Sequence, residues 1–339
     1  MATSANGDIF TLPQYGGMVV EGIPNVTPML SLISRNSGGL QLPNSGIASI
    51  QGVKLSWENE PQRGVTNQDG ALEGATPTSR NNVMTQEYNV MQIFQEGFEL
   101  TYSRMSSIGT LQSGSSATLI NGTPIGAAVT QKDKQTASAV RALSRAINYQ
   151  LHNGTRTMPS NNSSNRIMGG SRTLASNWVT NLEQSALTKA LFTAWLMKGF
   201  NLGGLRGAGP YVCFCDAITK DKIYDLFGAN RVLPSGKVAN ISLDFIETTY
   251  GQIWFVLDPA VYTYSCELID LSEWALYGMP TIDPDSGASK GIFFLEAMAR
   301  TASKQQWQIY GEISAAFGHA DHIGRLYNIG GTSAAPTAY

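Results

Sequence analysis

The sequence predicts an α+β chain with one long helix, a compact α/β block after it, and extended strands on both sides. Three stretches carry this prediction. Residues 131–153, QKDKQTASAVRALSRAINYQLHN, contain no Pro or Gly, and Val140, Leu143, Ile147 and Leu151 recur at spacings of three and four, on one helical stripe. Residues 183–280 alternate helical and strand-like segments, the pattern of one α/β unit. Residues 46–107 hold two strand-like runs around a polar, Gly-containing stretch, which reads as a long β-ribbon.

The long helix comes first because the other parts are arranged about it. Its 23 residues would span roughly 35 Å at 1.5 Å per residue. Asn153-Gly154 supplies a stop signal, and Lys134, Arg141 and Arg145 face away from the apolar stripe. Ahead of it, residues 1–45 form an arm. Pro13, Pro24, Pro28 and Pro43, with paired glycines at 16–17 and 38–39, exclude a long helix there. Met29 to Ile33 make one apolar island able to dock on something else.

In the ribbon, Lys54 to Glu58 starts one strand, and residues 86–102 alternate as a returning strand. A lone two-stranded ribbon is marginal in water, so a polar one requires a neighbour to hold it. Between Leu55 and Gln131 there are seven acids, three arginines and no lysine, leaving four net negative charges. The stretch 131–157 that follows is basic, with Lys132, Lys134, Arg141, Arg145 and Arg156 against Asp133. An acidic ribbon and a basic strut in one chain attract between copies, although each exposed pair contributes little.

Residues 108–182 comprise a Gly/Ser/Thr linker, the long helix and a polar loop. In residues 183–280 a helix is expected from Glu183 to Gly199, with Leu187, Leu191, Ala194 and Trp195 inward. Tyr211 to Cys215 then form a buried strand, and Asp216 caps a helix ending at Phe227. Further strands follow at 245–248, 252–257 and 268–276. Residues 281–339 hold strands that return to the long helix, then a tail rich in Gly, Ser, Ala and Pro that is expected to hang free.

Composition narrows the function classes. The chain has 339 residues, 42% hydrophobic but only 14% charged, and 35 glycines. Charge is depleted in the cores of protein interfaces, so this balance suits a chain lying against copies of itself. A net charge of −2 argues against strong nonspecific nucleic-acid binding by the whole chain. Three cysteines are too few for a disulfide framework, and Cys213 and Cys215 share one strand face as buried thiols. The first residues lack the basic and apolar regions of a signal peptide, and no apolar run reaches membrane-spanning length.

The catalytic motifs are absent. His319-Ala-Asp-His322 lacks the paired frame of a metal site and reads as a polar turn. Gly204 to Gly209 has the wrong spacing for a dinucleotide cradle, and Asp283 to Gly287 lacks the closing Glu of a calcium loop. Glu296 and Glu312 sit on strand-like segments as an acid–base pair in principle, but nothing selects them over other carboxylates. No enzyme activity, cofactor or metal is expected.

The order of the parts, arm, ribbon, spine helix, α/β block and C-terminal strands, resembles the major capsid proteins of tailed bacteriophages, with the Hong Kong 97-type fold. The resemblance covers roughly residues 50–330. It rests on Trp57-Glu58, residues 67–75 (NQDGALEGA), 88–94 (YNVMQIF), the helix from Gln131-Lys132 to Leu151, 250–256 (YGQIWFV), 268–271 (LIDL), 309–312 (IYGE) and Asn328-Ile329. It implies a virion protein, made and assembled in the host bacterial cytoplasm, that forms hexamers and pentamers in an icosahedral or prolate head shell. Residues 1–45 would be the N-terminal arm, 46–107 the extended loop, 183–280 the axial domain, and 108–182 with 281–339 the peripheral domain. The implied partners are other copies of the chain, a separate scaffolding protein, a portal, decoration proteins, and packaged double-stranded DNA without sequence-specific contact. Trp57, Arg63, Asp69, Glu73, Arg80, Arg141 and Arg145 are the candidate contacts between subunits. Some relatives lock the shell covalently through a ribbon lysine. This ribbon has none after Lys54, so no such cross-link is expected. The rival classes are a tail-tube or decoration subunit, which would form tubes or small rings, and a soluble enzyme with an unrecognised site.

Overall fold

Helix α1 (Pro28–Ser34) is the apolar island of the arm. Pro28 occupies its first position, where a missing N–H costs nothing. Met29, Leu32 and Ile33 are buried against this chain's own long helix. The computed structural model describes residues 26–34, 47–60, 72–76, 79, 81–102, 131–161, 164–207, 209–227, 231–232, 237–238, 241–242, 244–284, 287–300 and 302–336. The rest of the arm, the stretch 61–71 and the linker 103–130 lie outside them.

Four strands follow: β1 (Ile47–Ser49), β2 (Lys54–Asn59), β3 (Thr85–Val90) and β4 (Gln92–Thr101). Among the described residues, strands β2 and β3 pair only with each other, antiparallel, as the ribbon. Strand β4 departs from the expected ribbon. It leaves β3 at Met91 and pairs along its whole length with a C-terminal strand. Its apolar residues explain this, since Phe94 and Leu100 need a core that a free ribbon lacks.

The long helix, α2, runs Gln131–Asn153 as the sequence predicts. Its buried stripe differs by one residue at the start. Ala139, Leu143, Ile147 and Leu151 face inward, while Val140 is about half exposed. The spacing of four from Leu143 selects Ala139, and its small side chain lets the helix lie close to its support. Helix α3 (Ser171–Leu174) and strand β5 (Val179–Asn181) lead to α4 (Lys189–Leu202). Helix α4 begins six residues later than expected. Glu183 and Gln184 adopt positive φ, and Thr188 caps the helix by accepting from the N–H of Leu191. The inward face is therefore Phe192, Trp195, Leu196 and Gly199, with Leu191 and Ala194 outward. A Cβ on Gly199 would lie 2.1 Å from the Trp178 ring, so only glycine lets that indole rest on the helix. Gly203, at φ 98, ends the helix in the left-handed region.

Next come β6 (Tyr211–Cys215), α5 (Ala217–Phe227), β7 (Arg231–Val232), β8 (Lys237–Val238), β9 (Ile241–Ser242), β10 (Asp244–Thr248), β11 (Gly251–Leu257) and β12 (Ser265–Asp270). Asp216 caps α5 as expected, accepting from the N–H of Ile218. The strand expected at 268–276 is broken. Asp270 accepts from the N–H and hydroxyl of Ser272, closing a short 3-10 turn before β13 (Ala275–Met279). Hairpin β14 (Thr281–Ile282) and β15 (Ser289–Gly291) precedes β16 (Phe293–Ala297), β17 (Lys304–Ala316) and β18 (Gly324–Tyr327).

Two sheets organise these elements. The seven-stranded sheet runs β5-β18-β12-β6-β11-β10-β7. Strand β18, expected to return to the long helix, instead joins this sheet between β5 and β12. The sheet is buried on both faces. Val212, Phe214, Val256 and Ile269 face the core under α2, while Cys213, Cys215, Ile253 and Phe255 face α4 and α5. All three cysteines are free and buried, Cys213 and Cys215 on one strand face as the alternation predicts. The five-stranded sheet runs β1-β13-β17-β16, with β4 also on β17. The tail is not free in its described part, because Ala334 and Thr263 exchange hydrogen bonds and Ser333 bonds Asn328.

Candidate assembly surface and the charged junction behind it

The end of α2 meets the seven-stranded sheet through buried charge. His152 is fully buried; its Nε2 lies 3.0 Å from Asp258 Oδ2 and its Nδ1 2.9 Å from Glu267 Oε2. With a carboxylate on each ring nitrogen, both must donate, so the ring is an imidazolium. Burial disfavours that charge, but Asp258, through its charge and hydrogen bond, and then Glu267 outweigh it and raise the pKa to about 10. Asn148, one turn earlier, donates to both oxygens of Asp258 at 3.1 and 3.2 Å. Its own carbonyl accepts from the Leu30 N–H at 3.0 Å, and Asp258 accepts from the Met29 N–H at 3.3 Å. One network thus ties α1, α2, the loop after β11 and β12 together.

Ser171 lies 3.5 Å from His152 Nδ1, and the set superficially matches a nucleophile, base and acid. Its hydroxyl donates instead to Glu267 Oε2. Both ring nitrogens are occupied by carboxylates, leaving no base, and Ser171, His152 and Asp258 are each at most 1% exposed. The cluster is a structural junction. Sequence reading missed it because residues 152, 258 and 267 are far apart in the chain. The available signal was Asn148 and His152, two polar residues four apart beside the apolar stripe.

The ribbon is clamped at its root. Trp57 Nε1 donates to Gly318 O at 2.7 Å, and its ring meets Phe317 edge-on with centroids 4.8 Å apart. Asn59 also donates to Gly318 O. On the other strand, buried Asn89 donates to the carbonyls of Ala315 and Gly169 and accepts from the Gly169 N–H. Arg156 donates to Tyr88 O at 2.8 Å and lies over the Tyr88 ring.

Beyond that root the surface changes. Leu72 is 87% exposed and Val83 76%, with Met84 also exposed. Glu73 is exposed beside Leu72, and Asn82 donates to Glu60. Of the sequence-predicted contacts, Trp57 is half-buried at the root, and Arg63, Asp69 and Arg80 lie outside the described residues. Arg145 lines a groove of about 510 Å³ between α2 and β4, with Gln92, Ile93, Glu96, Tyr149 and Gln150. Arg141 sits half-buried one turn earlier on α2. Glu296 and Glu312 serve different partners. Glu296 pairs with Lys290, while Glu312 pairs with Arg166 and accepts from the Tyr310 hydroxyl. His319 to His322 form a 3-10 turn in which His322 Nδ1 bonds Glu273 at 2.7 Å. Among the described residues no three His, Cys, Asp or Glu side chains are grouped to hold a metal.

A clamped ribbon and a long helix bridging two sheets organise the described residues. Solved capsids share the architecture. The capsid protein of cyanophage A-1(L) superposes with a TM-score of 0.60 at 14% identity, covering 94% of this chain and 97% of that one. That of a native GTA particle gives 0.56 at 7% identity, over 94% and 95%. That of cyanophage P-SCSP1u gives 0.51 at 8% identity, over 94% and 92%. No curated protein sequence matches the chain. The family model for the SU10 major capsid protein matches residues 2–330, and the chain belongs to that family. It is a major capsid protein, a virion protein whose copies form the phage head shell.

Proposed function

We propose that the chain assembles as hexamers and pentamers into an icosahedral or prolate shell around packaged double-stranded DNA. Residues 183–280, built about the seven-stranded sheet, would cluster at the local symmetry axes. The ribbon would reach over an adjacent subunit, and residues 1–45 would lie along another. The ribbon carries this reading. Among the described residues it pairs with no other strand, and it exposes Leu72, Val83 and Met84, apolar side chains that an isolated chain leaves in water. The acidic stretch holding Asp69 and Glu73 complements Arg141 and Arg145 on α2, so the groove beside Arg145 is the proposed seat for a neighbour. Arg63, Arg80 and Trp57 complete the proposed contact set. A separate scaffolding protein, a portal and decoration proteins are the proposed partners, with assembly in the host cytoplasm and DNA held without sequence-specific contact. Heterologous contacts that close on themselves are the physical route from one chain to a container.

Electron microscopy with light scattering on the purified protein, alone and co-expressed with a candidate scaffold, tests this. Hexamer or pentamer rings, or closed shells, are expected. A monodisperse monomer under both conditions sinks the proposal.

A further inference from the structure

On α3 and β18, two guanidinium groups sit over tyrosine rings. The Arg172 Cζ is 4.3 Å from the Tyr262 centroid, and the Arg325 Cζ is 4.3 Å from the Tyr327 centroid. A guanidinium carries five N–H donors, and a ring beneath it offers none of them a conventional acceptor. Arg172 directs only its Nε–H, to Asn153 Oδ1 at 3.1 Å. The side chain of Arg325 makes no hydrogen bond among the described residues, and its Nε is buried without an acceptor. Neither arginine meets a carboxylate at ion-pair distance among the described residues.

The charges beneath do not balance these two. Glu267 is the strand partner of Arg325 across β12 and β18. Its Oε2 is already bound by Ser171 and His152. With His152 as an imidazolium, this junction holds His152, Arg172 and Arg325 against Asp258 and Glu267, one positive charge in excess. Burial pulls the Arg325 guanidinium below its usual range, and the neighbouring Arg172 charge lowers it further, against the pull of Glu267. Arg172 follows Ser171, which bonds Glu267, and Glu267 is the strand partner of Arg325, so two like charges with unused donors share one neighbourhood and call for an anion.

We propose that Arg172 and Arg325, braced by Tyr262 and Tyr327, bind a single phosphate group, free or in a nucleic-acid backbone. A carboxylate has two oxygens and is satisfied by one guanidinium fork, whereas two forks suit the several oxygens of a phosphate. The single negative charge of a phosphodiester matches the excess charge of the junction. The proposal concerns the individual chain and does not depend on the shell geometry.

The test is titration of the purified full-length chain with inorganic phosphate by calorimetry, with potassium acetate at equal ionic strength as the reference. A second arm follows a fluorescent DNA duplex by anisotropy at two salt concentrations. Arg172→Gln and Arg325→Gln are each expected to weaken phosphate binding about tenfold, the scale of one charge-assisted hydrogen bond. Lys222→Gln, a nearby cation stacked on Tyr264 and bonded to Ile329 O, should leave it unchanged. Near-ultraviolet circular dichroism checks that each variant is folded, and Arg172→Gln decides the matter if Arg325→Gln is not. Loss of duplex binding in the same variants identifies the backbone as the source, and loss confined to inorganic phosphate identifies the free ion. The proposal is overturned if phosphate binds no better than acetate, or if the arginine variants bind it like the parent chain.

Discussion

The junction around His152 and the ribbon of β2 and β3 solve opposite problems. At the junction, polar groups removed from water find partners in the same chain: both nitrogens of His152, both oxygens of Asp258, and the Asn148 amide. In the ribbon, apolar groups stay in water, and beyond Trp57 and Asn59 the chain offers itself little to pack against. The His152 and Asp258 bonds close within the subunit, whereas the ribbon's exposed apolar side chains are left for the neighbouring subunit of the proposed assembly. A protein that must be stable alone and yet adhere to its copies needs both.

The largest perturbation of this contrast is His152→Ala. It leaves two buried carboxylates without their cation and is expected to cost about 3–5 kcal/mol in stability, read as a shifted urea midpoint. A shift of less than 1 kcal/mol would mean that the carboxylates find other partners. Raising pH approaches the same end without mutation. The folded pKa of His152, about 10, lies above its ordinary value of 6.5. The stabilisation is therefore whole below about pH 6.5 and is lost as pH rises through about 10. Thermal melting from pH 6 to 10.5 should show this decline, and it should flatten in His152→Gln.

Smaller effects sharpen the ribbon side. Trp57→Phe keeps the contact with Phe317 but removes the hydrogen bond to Gly318, a loss of about 1 kcal/mol. Hydrogen exchange should speed up in β2 and β3 and not in β6 or β11; uniform acceleration would contradict a clamp confined to the root. Glu73→Lys should leave the unassembled chain within about 0.5 kcal/mol of the parent, yet lower the yield of assembled particles. An unchanged yield would remove Glu73 from the contact set. Finally, heated particles should run as a single band near 36.5 kDa in denaturing detergent, since the ribbon carries no lysine after Lys54. A ladder of multiples would show that another lysine forms the covalent lock.

Legibility in the sequence followed range. Helix α2 could be bounded because its signals, an uninterrupted stripe and Asn153-Gly154, are local. The buried strand at 211–215 and the Asp216 cap were legible for the same reason. The start of α4 was not, because a turn at Glu183 and Gln184 uses left-handed backbone that neither residue announces. Strand β4 looks like ribbon in sequence, and only its ten-residue partner on β17 shows where it belongs. The site divides in the same way. Exposed charges could be nominated from composition, whereas the His152 cluster joins positions more than 100 residues apart.

The root of the ribbon has a mechanical consequence. Strand β4 is fastened to β17 along its full length, and the adjoining β2–β3 pair, six residues long, is tied toward its far end to the Gly318 carbonyl, with exposed Val83 and Met84 beyond that tie. The part beyond it is a cantilever. A force applied near its far end reaches the root as a torque, and the Gly318 carbonyl, holding both Trp57 and Asn59, is the fulcrum. Met91, between β3 and β4, is fully buried and its N–H bonds Val53 O, so the base is stiff and any give is confined to the chain past Asn59 and Thr85, which leaves both sheets undisturbed.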